Sequence, residues 1–238
     1  MPKLPKGLLL DLDDTILVFD AVSDRSWAQI LNTFRAEYNP IDPQHLHRSI
    51  KAAAKIFWSD PARHREGRVN LEAAREQIVS AAMSALQMPV NADLTTKIVR
   101  AYDLVRTQLM QPVPGAVETL RALREYGISL ILVTNGATRG QREKIERFQL
   151  QQFFQDIIIE EECGFGKPDE RVYRHALRAL GLPPQDVWMI GDNLEWEVAA
   201  PQRLGIRGIW VDVRGGGLPS DSDITPYRII NSLCDIVQ

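Results

Sequence analysis

The chain has 238 residues, of which 25% are charged and 45% hydrophobic, a balance usual for a globular fold. Its 31 acids outweigh its 28 bases for a formal net charge of −3, which argues against the bulk cationic attraction behind non-specific nucleic-acid binding. No apolar run nears the roughly 18 residues of a membrane span, and two cysteines, Cys163 and Cys234, are too few for a disulfide framework or a zinc cluster. The opening stretch, Met1 to Lys6, is followed by Leu8-Leu9-Leu10, which Asp11 cuts short. That is less than the apolar region of about 7–15 residues in a signal peptide. The expectation is a cytoplasmic protein with neither nucleic acid nor membrane as partner.

In chain order, the first element is a short apolar strand from Gly7 to Leu10, ending at Asp11-Leu12-Asp13-Asp14-Thr15. Such a run, closed by polar turn residues, suits a strand buried on both faces. From about Asp20 to Met110 the spacing is helical. Trp27, Ile30, Leu31 and Phe34 fall at i, i+3, i+4 and i+7. Asp42-Pro43 reads as an N-cap with proline at N1, ahead of Leu46, Ile50, Ala54 and Phe57. Asn70 and Asn91 are candidate caps for two further helices, one carrying Leu71, Ala74, Ile78 and Ala82, the other Leu94, Ile98, Ala101 and Leu109. The segment from Trp58 to Arg68 reads as a polar, basic, solvated connection, and His45, His47 and His64 lack the companions a zinc site needs.

Pro112-Val113-Pro114-Gly115 is a stiff return. After it, Val117, Leu120 and Leu123 mark a helix stopped at Gly127, and Ile128 to Val133 a strand ending at Thr134-Asn135-Gly136. Asp156 to Ile159 is a weaker strand. Val172, Ala176 and Leu180 mark a helix closed by Gly181 and Pro183-Pro184. Val187 to Ile190 is a strand ending at Gly191-Asp192-Asn193, Trp196 to Leu204 a helix, and Ile206 to Val211 a strand ending at Asp212. Gly215-Gly216-Gly217 is a flexible loop.

Alternating strands and helices imply an α/β fold, a parallel sheet covered by helices on both faces. A crossover needs only about a dozen residues, so the helical excess after the first strand is a second, all-helical domain. The division expected is 1–17 and 112–238 for the α/β core and 18–111 for the insertion. In such sheets ligands sit beyond the carboxyl ends of the strands. Three strand ends deliver polar residues there: Asp11/Asp13, Thr134/Asn135 and Asp192/Asn193.

Asp11 and Asp13 can divide two roles, one attacking and the other handling protons. Acids gathered with Asp192 would repel one another, and a hard divalent cation, Mg²⁺, resolves that. A carboxylate about 4 Å from a phosphate dianion is repelled by roughly 8 kcal/mol at an effective dielectric of 20, so attack needs compensating positive charge. Lys167, set between Gly166 and Pro168, offers a defined backbone and a mobile charged tip. Thr134 offers a hydroxyl donor, and the Asn135-Gly136 turn offers backbone N–H groups to phosphate oxygens.

These pieces, in this order, resemble the haloacid dehalogenase-like superfamily of phosphohydrolases. The motifs are Asp11-Leu12-Asp13-Asp14-Thr15, Thr134-Asn135-Gly136, Lys167-Pro168, and Gly191 through Asp192 to Glu197. The resemblance implies a Rossmann-like core with a helical cap inserted after the first motif. It implies Asp11 as nucleophile, forming an aspartyl-phosphate, and Asp13 as the acid that protonates the leaving alcohol and then activates water. It places Mg²⁺ on Asp11, the backbone carbonyl of Asp13, and Asp192. Thr134 and Lys167 would bind the phosphoryl group. Glu197 stands where the family usually has aspartate, which leaves open contact with the metal, contact through water, or pairing with Lys167. Retention of Asp13 favours phosphoryl transfer to water over dehalogenation, since an alkoxide needs a proton and a halide does not. The activity implied is a phosphatase acting on a small phosphorylated metabolite, as a monomer or homodimer. A phosphomutase, a haloacid dehalogenase and a non-catalytic scaffold are the alternatives.

Overall fold

The computed structural model describes residues 4–237 of the chain. Met1 to Lys3, the start of the stretch read for a signal, lie outside the described residues, as does Gln238. The chain divides into two compact units: one takes in the chain up to Val18 and from Gln111 onward, and the other is Phe19–Met110.

The first unit begins with β1, Gly7–Leu10, four residues that are all buried. The apolar run stops at Asp11, and the chain then turns tightly. Ile16 and Leu17 N–H both donate to Leu12 O, and Asp14 adopts a left-handed φ of 57°.

The second unit is helical: α1 Asp20–Thr33, α2 Pro43–Ser59, α3 Pro61–Val69, α4 Leu71–Ala85 and α5 Ala92–Leu109. The Asp42 side chain accepts from Gln44 N at 2.9 Å and His45 N at 3.2 Å, with Pro43 at N1, while Asn70 and Asn91 cap α4 and α5. Leu31, Leu46, Ile50, Val79, Met83, Ile98 and Val99 are buried in its core, and the Trp27 ring stacks on Tyr102 at 4.0 Å. Burying each such side chain contributes about 1.5–3 kcal/mol, which is what holds helices of middling propensity together.

The segment from Trp58 to Arg68 is mostly exposed, as its charge suggested, but it is helical rather than a loop. α2 runs on to Ser59, and α3 starts at once with Asp60 as N-cap, accepting from Ala62 N and Arg63 N, and Pro61 at N1. The Asp-Pro signature that opens α2 is repeated here, and it outweighs the local charge.

Returning to the first unit, α6 is Ala116–Glu125, β2 Ser129–Thr134, α7 Thr138–Arg147, β3 Asp156–Ile159, α8 Glu160–Cys163 and α9 Glu170–Leu180. Then come β4 Val187–Gly191, a π-helical turn Leu194–Ala199, α10 Ala200–Gln202, β5 Arg207–Val211 and β6 Arg228–Ile230. Among the described residues these strands form one sheet of order β3-β2-β1-β4-β5-β6, parallel throughout. β6, absent from the sequence reading, is a three-residue edge strand with no apolar alternation to announce it.

Leu9, Ile131, Val133, Ile158 and Met189 on one face of the sheet pack with Val172, Tyr173 and Ala176 of α9. The chain leaves β1 toward β2 and β3, then returns across β1 to β4 and β5. The order therefore reverses between β1 and β4. Beyond the carboxyl ends of those two strands lies the crevice where open α/β sheets bind ligands.

Candidate active site

Asp11 follows β1 directly, its N–H donating to Ile190 O at 3.0 Å, so the β1–β4 ladder extends one residue to fix it. It is 7% exposed, and its Oδ1 accepts from Lys167 Nζ at 2.5 Å. Lys167 is 1% exposed, and its ammonium also lies 2.7 Å from Glu197 Oε1, an ion pair whose angles fall outside those of a hydrogen bond. The tip expected to be mobile is thus clamped between two carboxylates, because a buried ammonium requires pairing. Burial pulls its pKa down, but Asp11 and then Glu197 push harder, and the net shift is upward. Lys167 is therefore the cation of the pair. Burial raises the Asp11 carboxyl, opposed by that same ammonium.

The Lys167 backbone is held as firmly as its tip. Its N–H donates to Asn135 Oδ1 at 2.8 Å, and Asn135 Nδ2 donates back to Lys167 O at 2.7 Å. A Cβ on Gly166 would stand 2.5 Å from Asn135 Oδ1 and 2.7 Å from Glu160 Cδ, so this close approach requires glycine. The Asn135 side chain thus serves Lys167. The Gly136 N–H, expected to meet phosphate, donates instead to the buried Glu160 Oε2 at 3.0 Å.

Thr134 ends β2 and is 2% exposed. Its Oγ1 accepts from Gln141 Nε2 at 2.6 Å, which leaves the hydroxyl hydrogen to donate elsewhere. Gln141 Nε2 also lies 2.6 Å from Asn135 O and 3.3 Å from Asp13 Oδ2. Both Asp13 oxygens accept from Lys144 Nζ, at 2.7 and 2.6 Å. Gln141, Lys144 and Glu160 did not emerge from sequence. The sequence reading named no element between Gly136 and Asp156, a stretch crowded with the charges of Arg139, Arg142, Glu143, Lys144, Glu146 and Arg147. The available signal was the i, i+3 spacing of Gln141 and Lys144 just after a strand-end threonine.

Glu197 is fully buried on the π-helical turn. Asn193 caps that turn, accepting from Glu195 N and Trp196 N at 3.1 Å each, and Asn193 N–H donates to Glu197 Oε2 at 2.8 Å. Tyr173 Oη donates to Trp196 O at 2.5 Å. Burial pushes the Glu197 carboxyl up to about 7, with Lys167 opposing. Asp192 ends the β4 side of the crevice, and its backbone O accepts from Trp210 Nε1 at 2.7 Å. Burial first, then Asp11, Glu197 and Asp14, push its carboxyl up to about 9.

That upward push is a test of whether Mg²⁺ fits. The corner carries more negative charge than Lys167 offsets, and a hard divalent cation would relieve it. Magnesium is commonly held by one or two carboxylates, with water and substrate phosphate completing the shell. Asp11 and Asp192 carry carboxylates of this kind, just past the ends of paired strands. Among the described residues no three His, Cys, Asp or Glu side chains are gathered as a ready metal cluster. A backbone carbonyl, such as the one expected of Asp13, would complete the set. The residues present fit the ion.

The model of the haloacid dehalogenase-like hydrolase family matches residues 5–205. The chain is 26% identical to the glyceraldehyde 3-phosphate phosphatase of Methanopyrus kandleri, over 98% of this chain and 97% of that one. It is also 26% identical to the pyrimidine 5′-nucleotidase YjjG of Escherichia coli, over 97% and 96% of the two chains. Among solved structures, the HAD-hydrolase YfnB of Bacillus subtilis, bound to magnesium, superposes with a TM-score of 0.75 at 23% identity, covering 98% and 97%.

Proposed function

This chain belongs to the haloacid dehalogenase-like hydrolases and is a phosphatase of that family, and from that premise we propose that it hydrolyses a small phosphorylated metabolite through an aspartyl-phosphate on Asp11, with Mg²⁺ as cofactor. The observation that carries the proposal is the buried contact of Asp11 Oδ1 with Lys167 Nζ at 2.5 Å, in the crevice beside Asp192. An anionic nucleophile can approach an anionic phosphate only where positive charge is already in place. Lys167 supplies it at fixed geometry, and Glu197 and Asn135 hold Lys167 there.

In the first step an Asp11 carboxylate oxygen attacks phosphorus and the P–O bond to the alcohol breaks. Asp13 gives a proton to the departing oxygen. The Thr134 hydroxyl, its acceptor side filled by Gln141, donates to a phosphoryl oxygen. In the second step water attacks phosphorus, its proton passes to Asp13, and the Asp11–phosphorus bond breaks to release inorganic phosphate. Mg²⁺, held by Asp11, Asp192 and the Asp13 carbonyl, would supply further neutralisation of phosphoryl charge. Glu197, with one oxygen on Lys167 and the other on Asn193 N–H, is assigned to orienting Lys167 rather than to the ion. The helical unit stands in the chain where the family's cap is inserted, and we assign it the choice of leaving group. The two relatives above are named for a triose phosphate and for pyrimidine nucleotides, which share a phosphate monoester and little else.

The test is hydrolysis of p-nitrophenyl phosphate. Activity with Mg²⁺ should be lost on EDTA and restored by Mg²⁺, and should be absent in Asp11→Asn. Turnover that survives either chelation or that substitution contradicts the proposal.

A further inference from the structure

We propose that Lys144 is a positioning residue for Asp13, an inference that rests on the proton-handling role given to Asp13 above. Asp13 lies beyond the end of β1, in the tight turn before Leu17, where no strand ladder on both sides fixes its side chain. A carboxylate there would sample several rotamers. Lys144 removes that freedom by donating to both oxygens, at 2.7 and 2.6 Å, with its own side chain only 16% exposed.

The clamp is built on α7 rather than borrowed from a floppy surface chain. Gln141 and Lys144 are three residues apart on that helix and therefore share a face. Gln141 Nε2 reaches Asp13 Oδ2, Thr134 Oγ1 and Asn135 O together. One helix face thus ties the proton-handling acid to the threonine at the phosphate end of the site. Misplacing a catalytic group by about 1 Å can cost about 10²-fold. The ammonium does not need to touch substrate to matter.

The experiment is a double-mutant cycle on p-nitrophenyl phosphate with Mg²⁺, using Lys144→Met, Lys144→Arg, Asp13→Asn, and Lys144→Met with Asp13→Asn. Lys144→Met should lower kcat by about 10- to 100-fold with KM changed by less than about threefold. Lys144→Arg, whose fork also meets both carboxylate oxygens, should recover to within about threefold of wild type. In the Asp13→Asn background Lys144→Met should change kcat by less than about twofold, since the residue it positions is already disabled. Thermal unfolding of each variant separates misfolding from misplacement, and Lys144→Gln replaces Lys144→Met if the latter does not fold. A full additional loss in the Asp13→Asn background, a rise in KM at constant kcat, or no effect of Lys144→Met would each overturn this inference and leave the phosphatase reading standing. Wild-type turnover in Asp13→Asn would overturn both the inference and the role given to Asp13.

Discussion

At the scale of single residues, charge governs the site. Lys167 is a buried ammonium whose two partners, Asp11 and Glu197, are buried as well. Removing one member of a buried ion pair leaves the others uncompensated, at a cost of about 3–5 kcal/mol. Lys167→Met should therefore abolish turnover and lower the unfolding free energy by about 3 kcal/mol or more, read by urea denaturation. Lost activity with wild-type stability would mean that Asp11 and Glu197 do not depend on Lys167 for charge balance. The positions of Asp11, Asp13, Thr134, Lys167 and Asp192 were legible in sequence because each stands where an apolar run or a Gly-Pro frame breaks off. Pairing of Lys167 with Glu197 was one of three alternatives left open by the resemblance, and its contact with Asp11 was not legible. Only folding brings Lys167 against an acid 156 positions away and another on a π-helical turn.

The element scale explains how those residues are held. β5 lies against the π-helical turn so closely that a Cβ on Gly208 would stand 2.5 Å from Val198 Cα and 2.8 Å from Glu197 O. Both contacts are backbone and cannot swing aside. Gly208→Ala should destabilise the protein by about 1–3 kcal/mol, and it should also lower kcat by displacing the turn that carries Glu197. The checks are thermal unfolding and steady-state kinetics on the same preparation. A stable Gly208→Ala with normal kcat would show the turn to be compliant. The sequence places Gly208 inside the Ile206–Val211 run but does not show what lies across from it. Sequence reading recognised Asp42-Pro43 as a helix start while passing over Asp60-Pro61, since the arginines that follow looked like solvated surface. On α7 the same density of charge hid Gln141 and Lys144, because helical periodicity distinguishes apolar from polar faces and does not distinguish a polar face in water from one against a buried acid.

For the whole molecule, topology does what local pattern cannot. The order β3-β2-β1-β4-β5-β6 makes β1 and β4 neighbours although 180 residues separate paired positions, as in Leu10 beside Ile190. That pairing puts Asp11 and Asp192 at one edge and opens the crevice where the order reverses. Parallel strands and a long helical insertion were readable from alternation and from a crossover far longer than the sheet requires. The strand order was not readable from periodicity. The proposed hydrolysis requires that Asp11 become phosphorylated and that water then release the phosphate. The most direct measurement is acid quench of the Mg²⁺-loaded enzyme during turnover, followed by borohydride reduction and peptide mass spectrometry. Reduction of an acyl phosphate converts the aspartate to homoserine, so the account predicts homoserine at position 11, absent without substrate. Unmodified Asp11 in enzyme trapped at full turnover, or homoserine at Asp13 or Asp192 instead, would contradict it.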